Sequence, residues 1–204
     1  EDFQSLAANI PRVKLSNMYV VENPLSPSGF SYLPRPSVEE YVDVGSGPAR
    51  GVWFQSSKGR VTLYVVSGSS LYSVDPVSNV VTEIGAIDGT SSCTFCSTLY
   101  YIAIASSGFL YLYDGTTLTK VEIPDDLEVT DVTSLDNYII VGIKNTTKMY
   151  WIRPGEVTIE PLDFVSAERS PDDIISVSVA GDELWALGQE GCEVFQSSGD
   201  ASAS

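Results

Sequence analysis

Three cysteines, no histidine and a few adjacent carboxylates are the residues of this 204-residue chain from which chemistry could be built. The stretch CTFC, from Cys93 to Cys96, has the spacing of half a zinc site or of a redox pair. The chain holds no second such pair and no histidine to complete a tetrahedron. In a strand, residues three apart point to opposite faces, so these cysteines read as small buried apolar side chains. An odd number of cysteines also argues against a secreted disulfide framework. Asp125 with Asp126, and Asp172 with Asp173, could serve a glycosidase only if two carboxyls faced one sugar about 5–9.5 Å apart. Both pairs adjoin a proline, in IPDDLE and SPDDII, and read as solvated turn residues. Without histidine the usual general base and the commonest metal ligand are missing. GSGPARG, from Gly45 to Gly51, lacks the Lys-Ser/Thr and the helix of a phosphate cradle and reads as a linker. The acidic loops VDPVSN and SAERSPDD lack the alternating ligand spacing of a calcium site. The expectation is a protein that is not an enzyme and uses no cofactor or metal.

Charge narrows the partners. Lys and Arg number 11 against 27 Asp and Glu, a formal net charge of −16. Such a surface repels phosphate backbones and anionic headgroups, which disfavours nucleic acid as an ordinary ligand. No apolar run approaches the roughly 18 residues needed to span a bilayer, and nothing resembles a signal peptide. Glu1 stands where an initiator Met would, so the chain reads as trimmed.

The elements that carry these residues repeat. LYSVDP begins at Leu71, LYLYDG at Leu110 and MYWIRPG at Met149, so one strand end and turn recur at separations of 39 and 39. Tyr72, Tyr111 and Tyr150 are then equivalent. Eight residues before the anchors stand Leu63, Ile102 and Val141; thirteen after stand Ile84, Ile123 and Leu162. A fourth unit follows at a spacing of 44, with Trp185 on its inner strand and Val194 at the tyrosine position. RGVWF, CTFC, DVTSL and IISVSV supply one more apolar strand to each unit. Units of three to four short strands, about 40 residues long, predict β-propeller blades starting near Arg50, Ser91, Glu128 and Pro171. One four-stranded sheet cannot bury both faces, whereas stacked neighbours can. The fold expected is all-β: a propeller or partial propeller of about four units over residues 49–204, with Leu63, Ile102, Val141 and Trp185 buried at equivalent places. The recurring tyrosines are either aromatic caps packed on the next blade or the binding ring of a propeller lectin. The second option keeps a glycan- or protein-binding module open as an alternative function.

Residues 1–48 form an N-terminal strap and linker. NMYVVENPLSPSGFSYLPRP, from Asn17 to Pro36, has too many prolines for a helix and reads as extended and turning. Its large apolar residues, among them Phe30, Tyr32 and Leu33, need cover, either on the chain's own propeller or on a neighbouring subunit.

From Asn17 through the RGVWF strand, the chain resembles the opening of the packaged-DNA stabilisation proteins of short-tailed phages. A second block, SAERSPDDIISVSVAGDELWALGQEGCEVFQSSGDA, is similar to a later stretch of that family, with Ala167-Glu168, Pro171-Asp172, Ile174-Ile175, Glu193 and Phe195. The resemblance implies a tail hub or nozzle protein, usually a hexameric ring, that extends the DNA conduit below the portal and adaptor and helps retain packaged DNA. Its partners would be copies of itself, the portal-adaptor ring and other tail proteins, with double-stranded DNA passing through the lumen without sequence-specific binding. It implies the virion tail as location, and no membrane-spanning segment is expected. Family members are about twice as long, so this chain reads as a fragment of a longer propeller protein. The loop from Ser166 to Asp173 carries the second block, which makes Glu168, Arg169, Asp172 and Asp173 candidate partner-binding residues beside Phe30, Tyr32 and Leu33.

Overall fold

The computed structural model describes residues 2–3, 13–14, 17–36, 39–57, 60–168 and 172–196. The chain divides into two compact units, Glu1–Asp43 and Val44–Ser204.

In the first unit, β1 (Asp2–Phe3) pairs antiparallel with β2 (Val13–Lys14). The segment expected to run as a strap folds back on itself: β3 (Met18–Glu22) pairs antiparallel with β4 (Phe30–Pro34). Polar bonds stitch the intervening turn. The Asn23 side-chain oxygen accepts the Leu25 N–H at 3.1 Å, and the Asn23 carbonyl accepts that of Ser26 at 3.0 Å. Gly29, at φ +75°, takes the left-handed conformation that closes the loop and donates its N–H to Ser26 at 2.9 Å. In this register Val20 lies opposite Tyr32 and Glu22 opposite Phe30 on one face; Tyr19 lies opposite Leu33 on the other.

The second unit is a series of antiparallel sheets. Sheet one is β5 (Ala49–Ser57), β6 (Arg60–Ser67), β7 (Ser70–Val74) and β8 (Val81–Ala86). Sheet two is β9 (Cys93–Ser97), β10 (Ile102–Ser106), β11 (Phe109–Tyr113) and β12 (Leu118–Val121). Sheet three is β13 (Val129–Leu135), β14 (Tyr138–Ile143), β15 (Lys148–Ile152) and β16 (Phe164–Ser166). Sheet four contains β17 (Ser176–Ala180), β18 (Glu183–Leu187) and β19 (Cys192–Gln196). Among the described residues the single helical element is a 3-10 turn at Pro124–Asp126. The first strands touch in the series β5, β9, β13, β17, which makes a fan of propeller blades that is not closed into a ring.

Each pair of neighbouring sheets encloses a core. Val66 and Leu71 of sheet one meet Ile102, Ile104 and Tyr111 of sheet two. Ala103, Ala105, Leu110 and Leu112 on the other face of sheet two meet Ile139, Val141 and Tyr150 of sheet three. Ile140 and Met149 of sheet three meet Val177, Leu184 and Ala186 of sheet four. Every residue of β10 is therefore buried, although successive side chains point opposite ways. Cys93 and Cys96 fall into different cores for the same reason.

The strand pairing corrects three details of the repeat. Val65 stands opposite Tyr72 and Ile104 opposite Tyr111, so these are the partners of Val141, which stands opposite Tyr150. Leu63 and Ile102 correspond instead to Ile139, because the β14–β15 turn holds four residues, 144–147, where the earlier hairpins hold two. A slip of two keeps the face, so the apolar pattern survived it. In the fourth unit the slip is one residue, which turns a side chain to the other face. Leu184 and Ala186 enter the core against sheet three, and Trp185 lies on the opposite side of β18, only partly buried. Leu162 is 86% exposed; the long β15–β16 connection delivers Phe164 to the place facing Tyr150, with ring centroids 5.5 Å apart.

These assignments separate residues that look alike in sequence. Leu110→Ala, which empties a fully buried site, should lower unfolding stability by about 3 kcal/mol in urea titration. Leu162→Ala should change it by no more than about 0.5 kcal/mol.

Candidate functional site

The side chains with the greatest chemical potential hold the blades together. Arg50 is buried at the junction of sheets one and two. It is the extra residue of a bulge between Ala49 and Gly51, and the bulge turns it toward the next sheet. Its Nε donates to the Ser91 carbonyl at 2.8 Å and its Nη1 to the carbonyls of Gly68 and Ile87 at 2.9 and 3.3 Å. Its Nη2 donates to the Asp88 carbonyl at 3.2 Å and to the Ser106 hydroxyl. A guanidinium with five donors is thus satisfied by neutral acceptors, which offsets its desolvation.

Sheet three repeats the device. Thr130 is the extra residue of the bulge between Val129 and Asp131, and its hydroxyl donates to the Ile175 carbonyl at 3.1 Å. Beside it, buried Asp131 accepts the N–H groups of Val132 at 2.8 Å and Val177 at 3.1 Å, and the Ser176 hydroxyl. These bonds fix sheet four on sheet three.

The carboxylate pairs sit at turns. Asp125 and Asp126 are exposed in the 3-10 turn at φ 58° and 54°. Asp172 accepts the N–H groups of Glu190 at 2.6 Å and Gly191 at 3.3 Å, clasping the β18–β19 connection. Its carboxyl also lies where a Cβ at residue 188 would stand, so a side chain in place of Gly188 would have to displace it. Glu168 and Asp173 are exposed, and Arg169 lies outside the described residues, as does Pro171. Phe30 and Tyr32 share one exposed face of the β3–β4 hairpin, and Leu33 is exposed on the other. The two candidate sets belong to different units. Among the described residues no three Cys, Asp or Glu side chains converge to hold a metal ion, and no helix is long and apolar enough to cross a membrane.

Among the described side chains of the blades, four further cations have partners. Lys120 binds Asp88 at 2.7 Å and lies 3.6 Å from the centre of the Phe109 ring. That ammonium, by its hydrogen bond, holds the Asp88 carboxyl below the usual carboxylate range. Lys144 pairs with Glu128, Arg153 with Asp163 at 3.0 Å, and Lys148 lies over the Phe164 ring at 4.8 Å. Tyr111 and Tyr150 are buried in the cores between sheets, and the Tyr111 hydroxyl accepts the Asp88 N–H at 3.0 Å. Burial pushes both phenols above their ordinary range. These two pack as caps, whereas Tyr72, on the face of sheet one away from sheet two, is only partly buried. A groove of about 410 Å³ between sheets two and three is walled by hydroxyls such as Ser91, Ser107 and Thr130 and contains no aromatic side chain for a sugar to stack on. Neither Arg50 nor Asp131 stood out in sequence as a site; the signal was a lone charge inside an apolar strand, ARGVWF and VTDVTSL.

The family model described as Bacteriophage P22 Gp10, beta-propeller, matches residues 11–204. No curated protein matches. Among solved structures, the computationally designed Ika4 protein superposes with a TM-score of 0.57 at 11% identity, over 78% of this chain and 99% of its own. The designed Ika8 protein gives 0.56 at 13%, over 90% and 57%. BamB from Moraxella catarrhalis gives 0.54 at 15%, over 71% and 44%. This chain thus spans less than half of BamB, and at such identities the likeness is one of fold alone.

Thiol chemistry checks the burial. Desolvation, with Asp131 nearby, pushes the Cys96 thiol up to about 12, so at pH 8 it keeps its proton and lacks the reactive thiolate. Cys93 is buried and Cys192 exposed. A thiol-specific chromogenic reagent at pH 8 should label one cysteine, Cys192, in the folded chain and all three after denaturation.

Proposed function

The chain belongs to the phage packaged-DNA stabilisation β-propeller family of Bacteriophage P22 Gp10, and from that premise we propose that it is a structural piece of the virion tail, part of the hub or nozzle that carries the DNA conduit below the portal and adaptor. Copies assemble into a ring, hexameric by the family resemblance, which meets the adaptor ring and other tail proteins while double-stranded DNA passes without sequence-specific contact. Residues 1–48 act as strap and linker and residues 49–204 as blades of a longer propeller protein. The partner-facing residues are Phe30, Tyr32 and Leu33 on the hairpin and Glu168, Arg169 and Asp173 near the β16–β17 connection; Asp172 contributes by holding the turn beside them.

The observation that supports a conduit is the state of the cations. DNA is gripped by Lys and Arg that release counterions from phosphates. Here Lys120, Lys144 and Arg153 are engaged by carboxylates and Arg50 is buried, on a chain of net charge −16. Such a surface lets phosphate slide past. No step of chemistry is required of it.

Two measurements test this. Negative-stain images of the purified chain with its adaptor should show rings docked on the adaptor, and a monomer that never engages the adaptor would overturn the tail reading. Fluorescence anisotropy with a 30-base-pair duplex at 150 mM salt should give a dissociation constant weaker than about 10⁻⁴ M, the loose end of non-specific binding. Affinity tighter than about 10⁻⁶ M would overturn the non-retaining wall.

A further inference from the structure

We propose that the cleft between sheets one and two binds a neutral sugar, taken as one unit of a glycan. Both walls of the cleft lie within the unit Val44–Ser204.

At this cleft sheet one departs from the repeat. The residues before Val65, Ile104 and Val141 are Tyr64, Ala103 and Ile140, and those after Tyr72, Tyr111 and Tyr150 are Ser73, Leu112 and Trp151. Sheets two and three press Ala103 with Leu112, and Ile140 with Trp151, onto the following sheet as apolar pairs. Sheet one offers Tyr64 with Ser73 at that place, and Thr82 continues the row on β8. Along β6 the same face runs Val66, Tyr64, Thr62, and along β7 Leu71, Ser73, Asp75, so both strands leave the core shared with sheet two as polar strands. A space of about 370 Å³ opens there, and Tyr113 reaches it from sheet two. Small-molecule sites measure roughly 300–1,000 Å³.

The hydroxyls of the cleft are uncommitted. Among the described residues, those of Thr62, Tyr64, Ser73, Thr82 and Tyr113 make no hydrogen bond with the protein. In the groove between sheets two and three, by contrast, Ser91 bonds Ser107, Ser106 donates to the Asp88 carbonyl and Thr130 to that of Ile175. A hydroxyl both donates and accepts, so several converging on one space suit a ligand that does the same at several atoms. A sugar is such a ligand, and its C–H face suits the phenol rings of Tyr64 and Tyr113, which stand edge to face with centroids 5.9 Å apart. Desolvation raises both phenols above their ordinary range, so at neutral pH they keep the protons they would donate. Charge selects against other guests. Among the described lining residues none is cationic, and an anion would meet Asp75 on a chain of −16. The Asp75 Oδ1 accepts the N–H groups of Val77 at 2.9 Å and Ser78 at 3.3 Å, which fixes the β7–β8 turn at the edge of the cleft.

The test titrates the 204-residue chain by NMR with maltotriose, mannotriose, galactobiose and chitotriose as neutral probes, and with sialyllactose and tri-arginine as charged ones. A neutral probe should bind with a dissociation constant of about 1 mM or tighter. Ser73→Leu, which restores the apolar repeat and fills the cleft, should weaken that binding about tenfold or more. Tyr64→Phe combined with Tyr113→Phe keeps both rings and removes two hydroxyls; it should weaken binding about threefold or more, and it decides the matter if Ser73→Leu fails to fold. Ser92→Leu, in the groove between sheets two and three, should leave binding unchanged. Four results would overturn the site: no neutral probe bound at about 10 mM, binding retained in full by both cleft variants, binding lost with Ser92→Leu alone, or a preference for sialyllactose or tri-arginine.

Discussion

A sheet that is apolar on both faces has to be covered twice, and the stacking of blades is the consequence. β10 shows the constraint in five residues: isoleucines point to one neighbour, alanines to the other, and none of them reaches water. Apolar burial stabilises by roughly 25 cal/mol per Å² removed from water, so a single exposed blade would forfeit most of what its strands could contribute. Each blade thus owes its stability to the next, as in other architectures where contacts run only between neighbouring repeats.

Apolar packing sets the distance between sheets but is weakly directional. The polar groups supply the direction. Arg50 and Thr130 are both thrown outward by a bulge in the first strand of a sheet, and each bonds a carbonyl just before the first strand of the following one. Asp131 adds two N–H acceptances and a hydroxyl across or beside the same junction. A buried charge without partners costs several kcal/mol, so rotation of one sheet on another that breaks these bonds is strongly opposed. Charge is handled differently outside, where Lys120, Lys144 and Arg153 meet carboxylates in solvent and contribute little to stability.

The period was legible because the first three units repeat a strand end at a tyrosine, and those tyrosines do fall at corresponding places in their sheets. What the sequence hides is turn length. Four residues in place of two at 144–147 displaced Leu63 and Ile102 by one pleat without harm to the pattern, whereas a single-residue slip put Trp185 on the wrong face, since aromatic size attracts attention more than phase does. Proline content in the first unit excluded a helix but could not distinguish an extended run from a hairpin, because the closing bonds come from Asn23, Ser26 and Gly29. Asp172 was visible as an acidic turn residue; that it clasps the backbone of a turn far along the chain depends on tertiary placement.

The unequal faces of the blades give the fan a polarity that an exchange of repeats would violate. Val66, Ala105 and Gly142 occupy matching places opposite the following sheet, and the side chain shrinks from one blade to the next. Even a methyl on Gly142 would press on Val177 and Ile174 at 3.3–3.4 Å. Recombination that shuffled these units would set bulk against bulk at one junction and leave a void at another. Repeats that look alike along the chain have become individual parts, each with an address in the stack.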